Sequence, residues 1–126
     1  YSEVESNLAI AKKLMPLVNS FTDRNKQLIG THSDLQNLYT SSYEDFRRSG
    51  YLLSLNEKAR QLIEEVYGLI FCHNNQTNEI KNQEIDFSNP HAFLLSLIPR
   101  MRGYKERLEA LVEKLKLLRE ELKSCV

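Results

Sequence analysis

The feature that most constrains this chain is a stripe of apolar residues through its last third. Leu94, Leu97, Met101, Tyr104, Leu108, Leu111, Leu115, Leu118, Leu122 and Cys125 are separated alternately by three and four residues. That spacing keeps them on one face of a slightly underwound α-helix, the seam of a coiled coil. A helix cannot cover its own stripe. Another helix, from this chain or from a partner, has to do it.

Two earlier stretches carry the same signature. Between Ser2 and Arg48, Val4, Ala11, Leu14, Val18, Phe21, Leu28, Leu35, Tyr39 and Phe46 hold one heptad register, with Asn25 and His32 at two seam positions. Unbroken, residues 2–48 would make a helix of about 70 Å at 1.5 Å per residue. Pro16 removes an interior hydrogen bond, but it falls on the face opposite the seam, where a bend is tolerated. Gly30-Thr31-His32-Ser33 is weakly helical, and Ser33-Asp34-Leu35-Gln36 reads as a capping box able to start a new helix. A loop has no need to keep phase, so the register carried across Gly30 favours one continuous helix, bent or broken near that glycine.

Gly50 suits the left-handed position past a helix end. Ser54-Leu55-Asn56-Glu57 is a second capping box, opening a helix over about 55–82. Its stripe is Leu55, Ala59, Leu62, Val66, Leu69, His73 and Ile80, widened by Ile63, Tyr67 and Ile70. A stripe that wide buries against two neighbours. The polar run Asn74-Asn75-Gln76-Thr77-Asn78 weakens its far end. Pro90 fits the first position of a helix over 90–124, and Pro99 falls on that helix's outer face. The expected fold is all-α: three long antiparallel helices, as a bundle or coiled-coil hairpin, in a single domain over 1–126.

In architecture only, three heptad-striped antiparallel helices of this size resemble the spectrin-repeat style of bundle. The tryptophan of that family's first helix is missing, since the chain has none, and no family membership follows. The chain starts at Tyr1 rather than at a methionine, which points to a piece of a longer protein.

Charge agrees with helices packed side by side. Seventeen basic and seventeen acidic residues cancel overall. Residues 55–88 nevertheless carry six acids against three bases, and residues 99–126 eight bases against five acids. The balanced total argues against nucleic acid and acidic membrane surfaces as partners. Arg100, Arg102, Lys105 and Arg107 are the nearest approach to a polyanion site, but Glu106, Glu109 and Glu113 dilute them. Such charges belong at the flanks of a coiled-coil seam, where they set partner and register.

Catalytic and metal chemistry find little to stand on. His32, His73 and His91 lie in different segments, and none has a second ligand four residues away. Cys72 and His73 point about 100° apart on a helix and chelate poorly. Cys72 follows Leu69-Ile70-Phe71, surroundings that keep a thiol inert. Two cysteines outside any CxxC unit, Cys72 and Cys125, make no disulfide scaffold and fit a reducing, cytoplasmic setting. The sequon Asn75-Gln76-Thr77 has meaning only in a secreted protein.

The expectation is therefore a non-enzymatic protein–protein interaction module without cofactor, metal or small-molecule substrate. It would be an assembly domain of a scaffold, tether or adaptor subunit, pairing helices with itself or with another protein. Met101, Tyr104, Leu108, Leu111, Leu115, Leu118 and Leu122 would form the interaction seam, and Asn25 and His32 would set register. The rival is a monomeric docking domain that binds a partner peptide or helix in an inter-helix groove. A membrane-surface module using the basic flank of the last helix is the third.

Overall fold

The structure, a computed structural model, describes residues 1–23, 35–82 and 90–124. Among them four α-helices occur: α1 (Ser2–Asp23), α2 (Ser41–Ser49), α3 (Glu57–Lys81) and α4 (Pro90–Ser124), with a short 3-10 turn at Tyr51–Ser54 between α2 and α3. The described residues contain no strand. The all-α fold and the second and third long helices match the periodicity. The continuous first helix does not.

α4 is the shared wall. Its stripe residues Leu97, Met101, Tyr104, Leu108, Leu111, Leu115 and Leu118 are all buried, against α1 on one side and α3 on the other. Contacts along the helices fix their directions. Glu5 of α1 meets Arg119 of α4. Lys58 and Glu65 of α3 meet Glu121 and Lys114 of α4, at 3.3 and 2.8 Å, and Thr77 meets Tyr104. α3 therefore runs antiparallel to α4, and α1 runs parallel to α3, since Glu3 and Asn7 of α1 meet Tyr43 and Tyr39 in the same order in which Glu64 and Asn74 of α3 meet Tyr43 and Leu38. The acidic middle and basic end of the sequence are matched by the two α3–α4 ion pairs, each exposed enough to contribute only about 0.2–1 kcal/mol.

Two parallel helices need a returning leg between them, and residues 35–49 supply it. Tyr39 pairs with Asn7 and Ser42 with Glu3 on α1, while Leu38 pairs with Asn74 and Tyr43 with Glu64 on α3. The bundle is thus four legs, up-down-up-down, whose second leg is a non-helical strap (residues 35–40) continued by α2. Within the strap, Leu38 turns both of its main-chain groups to Asn74 on α3 and Tyr39 turns both of its own to Asn7 on α1, the alternation of an extended chain.

This corrects the helix expected over 2–48 and with it the all-antiparallel three-helix arrangement. Leu35 and Gln36, placed by sequence inside a capping box, are non-helical. Tyr39 and Phe46, expected in the seam, are exposed, while Leu38 and Tyr43 are buried. The physical reason is that both the rising and the returning leg need an inward apolar stripe. A heptad register spanning the two is compatible with a reversal as well as with one rod. Gly30, Asn25 and His32 lie outside the described residues.

Local signals behave as their chemistry requires. Pro16 and Pro99 sit inside α1 and α4 on exposed faces. Gly50, at φ 82°, ends α2 in the left-handed region, where a side chain would be strained. The cap of α3 is Asn56 rather than Ser54: its Oδ1 accepts from Ala59 N at 2.8 Å, at the third helical position. The polar run expected to fray α3 does not end it, because Asn74 and Thr77 are bonded to other legs.

Candidate interaction site

The coiled-coil seam of α4 is consumed inside the chain. Leu108, Leu111, Leu115 and Leu118 have no exposed surface, Met101 and Tyr104 are buried, and Leu122 is half-buried against the same core. Of the two coverings the sequence leaves open, α1 and α3 provide the one in cis.

The strap is held by side chains rather than by a neighbouring strand. Asn7 donates from Nδ2 to Tyr39 O at 2.9 Å and accepts from Tyr39 N at 2.7 Å. Asn74 does the same for Leu38, accepting from its N at 2.8 Å and donating to its O at 3.0 Å. His73 donates from Nε2 to Gln36 O at 3.1 Å. Asn7 is wholly buried in the α1 stripe, three residues after Val4 and four before Ala11, a seam position that sequence reasoning passed over.

His73 also closes a small buried cluster. Its Nε2 lies 3.3 Å from Tyr104 Oη and 3.4 Å from Thr77 Oγ1, which are themselves 3.0 Å apart. With the Nε2 proton committed to Gln36, Nδ1 is a buried acceptor without a hydrogen-bond partner. Burial holds the His73 pKa below the ordinary imidazole value. The Gln36 carbonyl pulls the other way, and the charge of Arg107 adds to the depression. Burial pushes Tyr104 up to about 12. The three side chains bind one another and the strap inside the bundle.

A stability consequence follows from the sign of that shift. An unfolded histidine takes its proton near pH 6.5, whereas folded His73 does so only at lower pH. Between the two values the unfolded chain holds more protons. The stability is therefore full above about pH 6.5 and falls as the pH drops through the window, by at most about 1.4 kcal/mol per unit. Thermal melts from pH 7.5 to 5 should show this slope, and His73→Gln should lower stability at pH 7.5 while flattening the slope. An unchanged slope in the variant would place the acid sensitivity elsewhere.

At the other end of the strap, Glu3 binds three donors. Its carboxylate accepts from Ser42 N at 2.9 Å, Tyr43 N at 3.2 Å and Tyr67 Oη at 2.6 Å. Ser42 and Tyr43 are the second and third residues of α2, whose own N-cap residue, Thr40, makes no side-chain cap bond. Glu3 therefore caps α2 from α1, placing a negative charge where the helix leaves unpaired N–H groups. Tyr67 stacks on Tyr43 with ring centroids 4.3 Å apart and planes 8° from parallel. Burial first, then the Glu3 hydrogen bond, moves the Tyr67 phenol far above its ordinary range.

Beside Glu3 an open pocket of about 140 Å³ enters the bundle. Val4, Phe46, Leu55, Ile63, Leu118 and Leu122 form most of its apolar wall. Phe46 meets Tyr51 at its rim, ring centroids 5.9 Å apart. Tyr51 and Leu53, in the 3-10 turn that leads to Leu55, are 63% and 74% exposed. Large apolar side chains this open are unusual when they gather at one place.

The other sequence candidates are dispersed. Cys72 is exposed and unbridged, and faces away from the buried His73 ring. Cys125 and His91 carry no described side chain. Arg107 donates to Gln76 Oε1 at 2.6 Å, so the basic run of α4 is partly tied to α3. Among the described residues no group of three or more His, Cys, Asp or Glu is placed to hold a metal, and no helix is long and apolar enough to cross a membrane. Set beside known proteins, the chain matches no family, no curated sequence and no solved structure.

Proposed function

We propose that this chain is a non-catalytic protein–protein interaction module, a docking unit of a scaffold, tether or adaptor subunit. In this reading a partner helix binds at the α2 end of the bundle and inserts one leucine or phenylalanine side chain into the pocket beside Glu3. The observation that carries it is the contrast between a seam used up in cis and an exposed apolar rim around an open pocket. A dry, apolar cavity of about 150 Å³ is enough to hold a benzene-sized group, so one side chain of that size is the fitting occupant. Full burial of such an anchor contributes about 1.5–3 kcal/mol, and a few central anchors commonly dominate an interface. The monomeric docking domain is thereby favoured over pairing through the α4 stripe.

Selection from a library of displayed amphipathic helices tests this. The helices recovered should share one large apolar anchor and lose at least about tenfold in affinity for Phe46→Glu, a change at a half-exposed site that leaves the fold intact. Leu117→Glu, on the outer face of α4, should leave binding unchanged. Binders indifferent to Phe46→Glu, or none at all, would overturn the reading.

A further inference from the structure

The carboxylate at the edge of the apolar pocket is held without a cation. Glu3 is 8% exposed, yet no lysine, arginine or histidine among the described residues lies within ion-pair distance of it. Its three donors, Ser42 N, Tyr43 N and Tyr67 Oη, are all neutral. A carboxylate offers about four acceptor sites, so one is left over. Aromatic rings complete the surroundings: Tyr1, Tyr43, Phe46 and Tyr67 line the same space of about 140 Å³. Carboxylate and ring quadrupoles both attract a positive charge, the rings within about 6 Å of their centroids. In a space this small a bound cation lies near all of its walls.

We propose that this pocket binds a quaternary ammonium head group, carried by a free small molecule of the choline type. The charge follows from Glu3 and the rings. The lack of N–H groups follows from the acceptors. A primary ammonium brings three donors, more than the one free carboxylate site and the Ser42 hydroxyl can answer, and a stranded donor is costly. A trimethylammonium head has no donor to strand, and its methyl groups suit Val4, Ile63 and Leu118 in the same wall. Size agrees, since a cavity of about 150 Å³ accepts a benzene-sized group and a trimethylammonium head has comparable bulk. The pocket takes one occupant at a time, so such a ligand competes with a partner's apolar side chain. Only that competition rests on the docking of a helix; the binding itself involves no partner protein, and either proposal can fail without the other.

Choline is the probe, titrated into the full chain and followed by the ring resonances of tyrosine and phenylalanine. Its comparison is the neutral alcohol of the same shape, in which a tert-butyl group replaces the trimethylammonium. Choline should bind at least about tenfold more tightly than this isostere. Ethanolamine, which brings N–H donors, should bind more weakly than choline. Phe46→Leu keeps an apolar wall but removes a ring, so it should weaken choline more than the isostere. Glu3→Gln keeps an acceptor but removes the charge, and should erase the preference for choline. If Glu3→Gln does not fold, the Phe46→Leu comparison decides. No binding of choline, equal affinity for choline and the isostere, tighter binding of ethanolamine, or a choline preference that survives the substitutions would overturn the proposal.

Discussion

Replacing Leu111 and Leu118 by aspartate should abolish cooperative unfolding altogether. Both side chains are fully buried in the stripe that α4 shares with α1 and α3. A buried carboxylate with no partner costs several kcal/mol even after relaxation, and two of them consume most or all of the roughly 5–15 kcal/mol that holds a domain folded. Because the stripe is covered within the chain, the loss should be independent of protein concentration. A seam between molecules would instead give a folded monomer after the same substitutions. Leu117→Asp, next to Leu118 but 56% exposed, is the control and should change stability by no more than about 0.5 kcal/mol. Circular dichroism melts over a hundredfold range of concentration check both statements. A double variant that keeps its melting transition would mean that α4 is not packed as described.

The second large effect is at Glu3. Glu3→Ala should lower stability by about 3 kcal/mol, combining the loss of a helix cap with a charge-assisted bond to a phenol. Glu3→Gln keeps an acceptor and should show about half of that. Tyr67→Phe removes only one of the three donors, and the cycle of Glu3→Gln with Tyr67→Phe should return a coupling of about 1 kcal/mol, since the two groups share a bond. Denaturant unfolding of the four species measures it. Additive single effects would show that the 2.6 Å contact contributes nothing net.

How much of this was legible in the sequence depends on the length of each stripe. α3 and α4 were readable almost to their ends, because uninterrupted apolar spacing over many turns admits only a helix. The returning leg was not readable. Leu28, Leu35, Tyr39 and Phe46 keep heptad phase, yet Tyr39 and Phe46 are exposed and the side chains that turn inward with Leu35 are Leu38 and Tyr43, and periodicity cannot distinguish a rod from a reversal of direction. The signs of the reversal were polar. Asn7 stands in an apolar seam where a side-chain amide is out of place unless main chain comes to meet it. Asn74 looked like a weakness in α3 and is instead the strap's second clasp. Glu3 stands in the first turn of α1, where an acidic residue suits that helix's own dipole, and only the fold shows that the helix it caps is α2. The pocket was illegible for a different reason, since its walls come from all four legs and no local pattern records where they meet.

The order of the four legs also bears on how the chain reaches its structure. α3 and α4 follow one another closely, whereas α1 meets α4 only after nearly the whole chain has been laid out between them, as the contact of Glu5 with Arg119 shows. Closing a loop of about a hundred residues rather than about twenty costs about 1.4 kcal/mol more in chain entropy. The hairpin of α3 and α4 is the cheaper first contact. It already presents both the stripe that α1 needs and the amide that the strap needs, so the early half of the sequence condenses on a surface made by the late half. A chain emerging from its N-terminus must therefore hold α1 in waiting, its buried asparagine still solvated, until the last helix exists.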